Sequence, residues 1–143
     1  IKGEPLSFDL GLLQGGLRRL KAGSALRWPA YDRRLHDPVE GAIEVPLSGV
    51  CVVEGNYLLL DEPGWRDLAA LADFKIFLDC PEPVLRADKI ARLVRGGRSC
   101  SSALSHYASV DRLNLVRICR HRMPADITLR VDEERGISLA EPE

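Results

Sequence analysis

Val50-Cys51-Val52-Val53-Glu54-Gly55-Asn56-Tyr57-Leu58-Leu59-Leu60 is an apolar run that delivers one carboxylate into a Gly-Asn turn. Val50 to Glu54 is apolar on both faces, which predicts a central parallel strand covered on two sides. An acid at the carboxyl end of such a strand lies where open α/β sheets gather their ligands. Glu54 can hold Mg²⁺ directly or through water, because hard cations prefer oxygen donors. Gly55 permits a sharp turn and close approach of backbone to ligand. The plain alternative is a carboxylate that caps the next element by accepting backbone N–H bonds.

Downstream, a helix is expected from about Pro63 to Leu71, and Phe74-Lys75-Ile76-Phe77-Leu78-Asp79 reads as a second strand ending in an acid. Pro81 and Pro83 open a helix through Val94. Gly96-Gly97 breaks it, a long helix follows from Ser99 to Arg120, and Asp126–Val131 is a third strand. Upstream, Ser7 or Asp9 caps a helix to Ala22, with Phe8, Leu12, Leu13, Leu17 and Leu20 at helical spacing. Gly15-Gly16 inside it marks close packing. Residues 24–49 read as turn-rich, with a short half-exposed strand at Gly41–Val45. Strands alternating with helices make this an α/β fold with a mostly parallel sheet. Residues 1–131 form one domain, and residues 132–143 are expected to be a loose acidic tail. Three strands are few for such a sheet, and the chain starts with Ile, so it is expected to be part of something longer.

A second constellation is Pro29-Ala30-Tyr31-Asp32-Arg33-Arg34-Leu35-His36, which puts stacking, anionic and proton-transfer groups into one irregular segment. Its plain reading is a solvated turn whose Tyr31 packs on the preceding helix. A third is the basic run around Gly96-Gly97. There Arg95 and Arg98 could clamp phosphoryl oxygens in a closing lid, whereas Asp88 and Arg92 read as a surface i,i+4 pair. Asn114 lies one helical turn after Asp111 and could bond a ligand or the backbone. His106 and His121 have no partner spacing for a metal. Trp28 and Trp65 are assigned to packing.

The bulk numbers set limits. The 143 residues carry 20 Lys+Arg against 21 Asp+Glu, so no global attraction to nucleic acid or membrane is implied. Arg86–Arg122 is locally basic, with eight arginines and one lysine against Asp88 and Asp111, which suits a phosphate-bearing small ligand. A nucleic-acid surface there is disfavoured, because Tyr107 is its one aromatic residue. Cys51, Cys80, Cys100 and Cys119 form no C-x-x-C pair and read as reduced thiols of a cytoplasmic protein. No run is long enough to span a bilayer, and none of the 143 residues reads as a signal peptide, so none is expected.

Taken together, these motifs resemble the phosphoribulokinase/uridine kinase family of P-loop kinases, in its nucleoside-, fructose-transport- or pantothenate-kinase-like branch. Lys2-Gly3-Glu4-Pro5-Leu6-Ser7-Phe8-Asp9 resembles that branch's Lys-Gly-x-Pro-x-Thr-Phe-Asp. Pro29 to His36 resembles its Pro-x-Tyr-Asp-x-x-x-His, and Val53 to Asp61 with Pro63-Gly64-Trp65 resembles its Glu-Gly-Asn-Tyr-Leu-Leu-Leu core. Gly97-Arg98-Ser99, Asp111-x-x-Asn114 and Ala125-Asp126 match later positions. The resemblance implies a three-layer P-loop NTPase fold and transfer of the γ-phosphoryl of ATP, with Mg²⁺, to a hydroxyl of a nucleoside, sugar or related metabolite. Carried over, Glu54 stands near metal and phosphates as the catalytic acidic residue. Tyr31, Asp32, Arg33 and His36 line the acceptor pocket, and Arg95, Arg98 and Asn114 belong to the nucleotide and lid region.

Two departures accompany the match. No Gly-x-x-x-x-Gly-Lys-Ser/Thr occurs in residues 1–143, and Gly11–Lys21 has the wrong spacing for one. Asp88 and Leu93 stand where the family is expected to carry Arg and His. The N-terminal strand, phosphate loop and catalytic base are therefore expected outside this stretch, and the isolated chain is expected to be inactive. The alternative is a non-catalytic binding or regulatory module derived from such a kinase. Neither the acceptor nor the oligomeric state is readable from the chain.

Overall fold

The computed structural model describes residues 4–32, 34, 35 and 37–140. They form two compact units, residues 1–58 with 63–71, and residues 59–62 with 72–143.

In the first unit, a 3₁₀ turn (Pro5–Ser7) leads into α1 (Leu10–Lys21). Asp9 is the cap: its Oδ1 accepts the Leu12 N–H at 2.8 Å, satisfying a donor that the first turn leaves orphaned. The helix ends in a Schellman motif. Gly23 N–H donates to Leu20 O and Ser24 N–H to Arg19 O, at 3.0 and 2.9 Å. Gly16 is buried and packs against the edge of the Trp28 ring; a Cβ there would stand 2.1 Å from the nearest indole carbon. The expected glycine-marked contact is present, and Trp28 does pack.

β1 (Leu26–Asp32) and β2 (Asp37–Val45) form an antiparallel hairpin in the stretch expected to be turn-rich. The expected short strand is only the second half of β2. Pro29 and Pro38 hid the rest, since proline lacks a ladder N–H. The ribbon accommodates Pro29 by a register break between Trp28 and Ala30. Two-stranded ribbons leave edge positions where a missing donor costs nothing. A short α2 (Trp65–Ala69) completes the unit, its N-terminus tied to α1 by Gln14 Nε2 donating to Gly64 O at 2.8 Å.

The expected strand at Val50–Glu54 joins no ladder. Val50 and Val52 are 93% and 84% exposed. The composition favours a strand, but strand geometry is stable only with a paired neighbour, and none reaches it among the described residues.

The second unit carries β3 (Ile76–Asp79), α3 (Glu82–Arg95), α4 (Cys100–His106), α5 (Arg112–Arg120), β4 (Ile127–Val131) and β5 (Ile137–Leu139). β3 and β4 pair in parallel, and β5 pairs antiparallel to β4. The described sheets are thus mixed rather than mostly parallel. Within residues 132–140 of the expected loose tail the chain is folded back: Asp132 Oδ1 accepts the Gly136 N–H at 2.6 Å, closing the turn that returns β5 onto β4. The long helical stretch is interrupted by a π turn (Tyr107–Asp111) between α4 and α5. Tyr107 is buried there, its hydroxyl donating to Glu82 Oε1 at 3.4 Å, while Arg112 Nε donates to the same oxygen at 3.0 Å.

Residues 59–62 are knitted into this unit. Leu60 bridges Arg122, Asp61 N–H donates to His121 O, and Met123 N–H to Leu59 O. Arg117 clasps Glu62 with two bonds, Nε to Oε1 at 2.6 Å and Nη2 to Oε2 at 2.5 Å. A fork-on-carboxylate pair stabilises the charged acid, and it holds Glu62 below its ordinary pKa of 4.5 despite opposing desolvation.

Two outcomes follow. Gly16→Ala is expected to destabilise the chain by about 1–3 kcal/mol through overpacking on Trp28. Gly15→Ala has open space around it and is expected to stabilise by about 0.5–1 kcal/mol; urea unfolding of both variants checks the contrast. Because the folded pKa of Glu62 lies below its unfolded value, its contribution is full above that unfolded value and is lost as pH falls through the folded one. The urea-midpoint gap between wild type and Glu62→Gln should therefore be widest near neutrality and close on acidification below about pH 4.5.

Candidate functional site

Within the first unit, three aromatic rings bring together sequence blocks far apart in the chain. Phe8, Tyr57 and Trp65 meet with centroids 5.4–5.8 Å apart, Phe8 in a T-shaped arrangement with both partners. Tyr57 and Trp65 are 2% and 4% exposed. Trp65 is a packing residue, as expected. The triad pins Glu54-Gly55-Asn56 immediately before Tyr57, and the Glu54 side chain remains exposed. Among the described residues, no three His, Cys, Asp or Glu side chains gather into a group able to hold a metal ion. Glu54 therefore offers a single carboxylate.

The hairpin carries the other constellation. Ala30, Tyr31, Asp32, Arg34, Val39 and Ala42 line a shallow, open concavity of about 440 Å³. Tyr31 is half-exposed on β1. Asp32 is half-buried, and its Oδ1 accepts the Arg34 N–H at 2.7 Å and the Leu35 N–H at 3.4 Å. This is an Asx turn, so the side chain shapes the hairpin tip. Arg33 and His36 lie outside the described residues. Sequence reasoning missed Arg34, Val39 and Ala42 as lining groups; the missed signal was the pairing of β1 with β2 across the tip.

In the second unit, Arg95 ends α3 and Arg98 follows the glycine pair, both exposed. The pair is not a loose hinge. Gly97 N–H donates to Val94 O and Arg98 N–H to Leu93 O, at 2.9 and 3.1 Å, a second Schellman stop with Gly97 at φ 95°. Asp88 does not pair with Arg92. It takes both guanidinium nitrogens of Arg135 at 2.6 Å, which holds the carboxyl below its ordinary range. Asn114 is half-buried on α5. Asp111 sits one turn before it, with Lys89 Nζ at 3.3 Å from Oδ1 and His106 Nε2 at 3.9 Å from Oδ2.

Residues 3–138 match the model of the phosphoribulokinase/uridine kinase family. The chain belongs to that family. Among its relatives, the YggC protein of Escherichia coli K12 is 39% identical over 133 residues, covering 93% of this chain and 55% of YggC. A uridine kinase of Brevibacillus brevis is 33% identical over 109 residues, covering 76% of this chain and 49% of that kinase. A solved structure assigned as a fructose transport system kinase, from Silicibacter sp. TM1040, superposes with a TM-score of 0.82 at 38% identity over 89% of this chain and 62% of that one. The family's P-loop kinase fold is therefore the fold of this chain, which spans about half the length of the curated relatives it matches.

Gly97 tests the geometry of the stop that ends α3. Gly97→Ala is expected to cost about 1–2 kcal/mol, the penalty for an L-residue at positive φ, and to fray the last turn of α3. Amide exchange of Arg95–Arg98 measures it.

Proposed function

We propose that this chain carries the acceptor-binding and lid segments of an ATP-dependent small-molecule kinase, which transfers a γ-phosphoryl group to a hydroxyl of a nucleoside, sugar or related metabolite. The supporting observation is the hairpin concavity, in which the Tyr31 ring, the Asp32 carboxylate edge and the Arg34 cation stand around one opening. An aromatic face with flanking donors and acceptors suits a polar ring compound bearing hydroxyls.

Roles follow from position. Tyr31 stacks on the acceptor, and Asp32 holds the hairpin tip in shape while presenting an acceptor oxygen. Arg33 and His36 belong to the same tip by sequence. Glu54 supplies one oxygen to a Mg²⁺, which characteristically keeps several waters and takes one or two carboxylates plus substrate phosphates. Arg95 and Arg98 supply cationic charge toward phosphoryl oxygens, and Asn114 a neutral hydrogen-bonding group. ATP itself does not fit these residues alone. The backbone cradle and lysine that bind a triphosphate have no counterpart in the sequence. The isolated chain is accordingly a binding part and not a complete catalyst.

The test is a ¹⁵N-NMR titration of the 143-residue chain with a panel of nucleosides, hexoses, pantothenate and glycerate, run beside an ATP-turnover assay. We expect one class of acceptor to shift the amides around Tyr31 and Asp32, Tyr31→Ala to weaken that binding at least tenfold, about 1.4 kcal/mol, and no ATP turnover. Turnover by the chain alone would overturn the inactive reading. A silent hairpin across the whole panel would overturn the acceptor role.

A further inference from the structure

The residues that line the hairpin concavity present three kinds of surface. Ala30, Val39 and Ala42 are apolar, Tyr31 is an aromatic face, and Asp32 and Arg34 are one anion and one cation. Three other arginine forks of the molecule are occupied: Arg112, Arg117 and Arg135 bond Glu82, Glu62 and Asp88. Arg34 differs. It is exposed, and among the described residues no carboxylate engages its guanidinium. Its backbone has a separate task, since the main-chain N–H donates to Asp32 Oδ1 at 2.7 Å. That bond and the one from the Leu35 N–H shape the tip and occupy one oxygen of Asp32. Among the described residues nothing bonds the other oxygen, Oδ2.

A guanidinium fork without a protein partner matches the two oxygens of a planar carboxylate. A neutral polyol leaves that fork to water. A phosphate ester fits less well, because it carries about two negative charges at neutral pH. The lining offers a single cation beside a carboxylate, and Asp37 stands directly across the ladder from Asp32. The acidic and arginine charges of the tip cancel by sequence, Asp32 and Asp37 against Arg33 and Arg34. Selection of an anion there comes from contact with one fork and not from a long-range field.

We propose that the acceptor is a hydroxy acid and that Arg34 selects it, holding the carboxylate while Asp32 Oδ2 accepts from a hydroxyl of the same molecule. This inference rests on the acceptor role of the hairpin proposed above, and adds the class of compound and the residue that selects it. Ala30, Val39 and Ala42 take the carbon chain, and Tyr31 covers one side of it.

The test is a ¹⁵N-NMR titration of the 143-residue chain with matched pairs that exchange a carboxylate for a carbinol: glycerate and glycerol, gluconate and sorbitol, pantothenate and pantothenol. Glucose 6-phosphate and glucose form a phosphate arm. In at least one pair we expect the acid to shift the Tyr31 and Asp32 amides with a Kd at least about tenfold below that of the alcohol. Arg34→Gln retains the main-chain bond to Asp32 and should remove the preference, with the hairpin amides of the unbound variant showing that the tip still folds. Arg34→Lys keeps the charge without the fork and should restore only part of it. Equal binding of acid and alcohol overturns the proposal and leaves the acceptor role standing. A preference confined to glucose 6-phosphate over glucose does the same. A preference for the acid that survives Arg34→Gln also overturns it, since the selecting group then lies elsewhere. A hairpin silent to every compound is a different failure, because it removes the acceptor role itself and this inference with it.

Discussion

The contact among Phe8, Tyr57 and Trp65 is the constraint on which the first unit rests. Each ring comes from a different part of the chain, and the two most buried flank the excursion of residues 59–62 into the second unit. Removing large apolar rings from water is the strongest single favourable term available here. With Tyr57 held, the Glu54-Gly55-Asn56 turn has a fixed end. With Trp65 held, α2 starts where Gln14 of α1 can reach Gly64. Gly16 then lets the edge of the Trp28 ring approach α1 closely and brings the hairpin with it.

Acidic residues divide by what surrounds them. Asp9 and Asp132 each accept a backbone N–H, and Asp32 accepts two. Glu62 and Asp88 are each clasped by an arginine fork, Arg117 and Arg135. Glu82 receives both Arg112 and Tyr107. These carboxylates serve local order. Glu54 differs in standing exposed at a glycine turn directly before the aromatic triad, which is why it is singled out chemically. The arginines divide in the same way. Several in the basic segment neutralise carboxylates or lie on an aromatic ring, as Arg122 does over Phe77, whereas Arg95 and Arg98 are exposed on either side of a rigid helix stop.

Much of the fold was legible because the signals were local. The Asp9 cap, the Gly23 and Gly97 stops, the Pro83 start of α3 and the apolar runs of β3 and β4 each depend on residues within one or two turns of one another. Elements defined by pairing were the ones misread. The β1–β2 hairpin was hidden by Pro29 and Pro38, which argue against strands until an edge ribbon is known to be their setting. β5 was hidden by acidic neighbours, though Asp132 and Gly136 spell its turn. Val50–Glu54 erred the other way: apolar composition promised a strand, and among the described residues no partner backbone pairs with it. Of the candidate site, Tyr31, Asp32 and Glu54 were visible as residue types in unusual company. The concavity that joins Tyr31 to Arg34 and Val39 was not, since it arises only when two strands register.

By itself the sequence determined the α/β class, the ends of α1 and α3 and the family, because capping, periodicity and the Glu-Gly-Asn-Tyr-Leu-Leu run are short-range and carried by residue identity. The tertiary structure decided which carboxylates are engaged in local bonds and which stand open, that Asp88 serves Arg135 and not Arg92, and that β3 runs parallel to β4 while β5 returns antiparallel. Those outcomes depend on what lies across a gap in space from each side chain or strand. Hydrogen bonds and ion pairs form only when folding closes that gap.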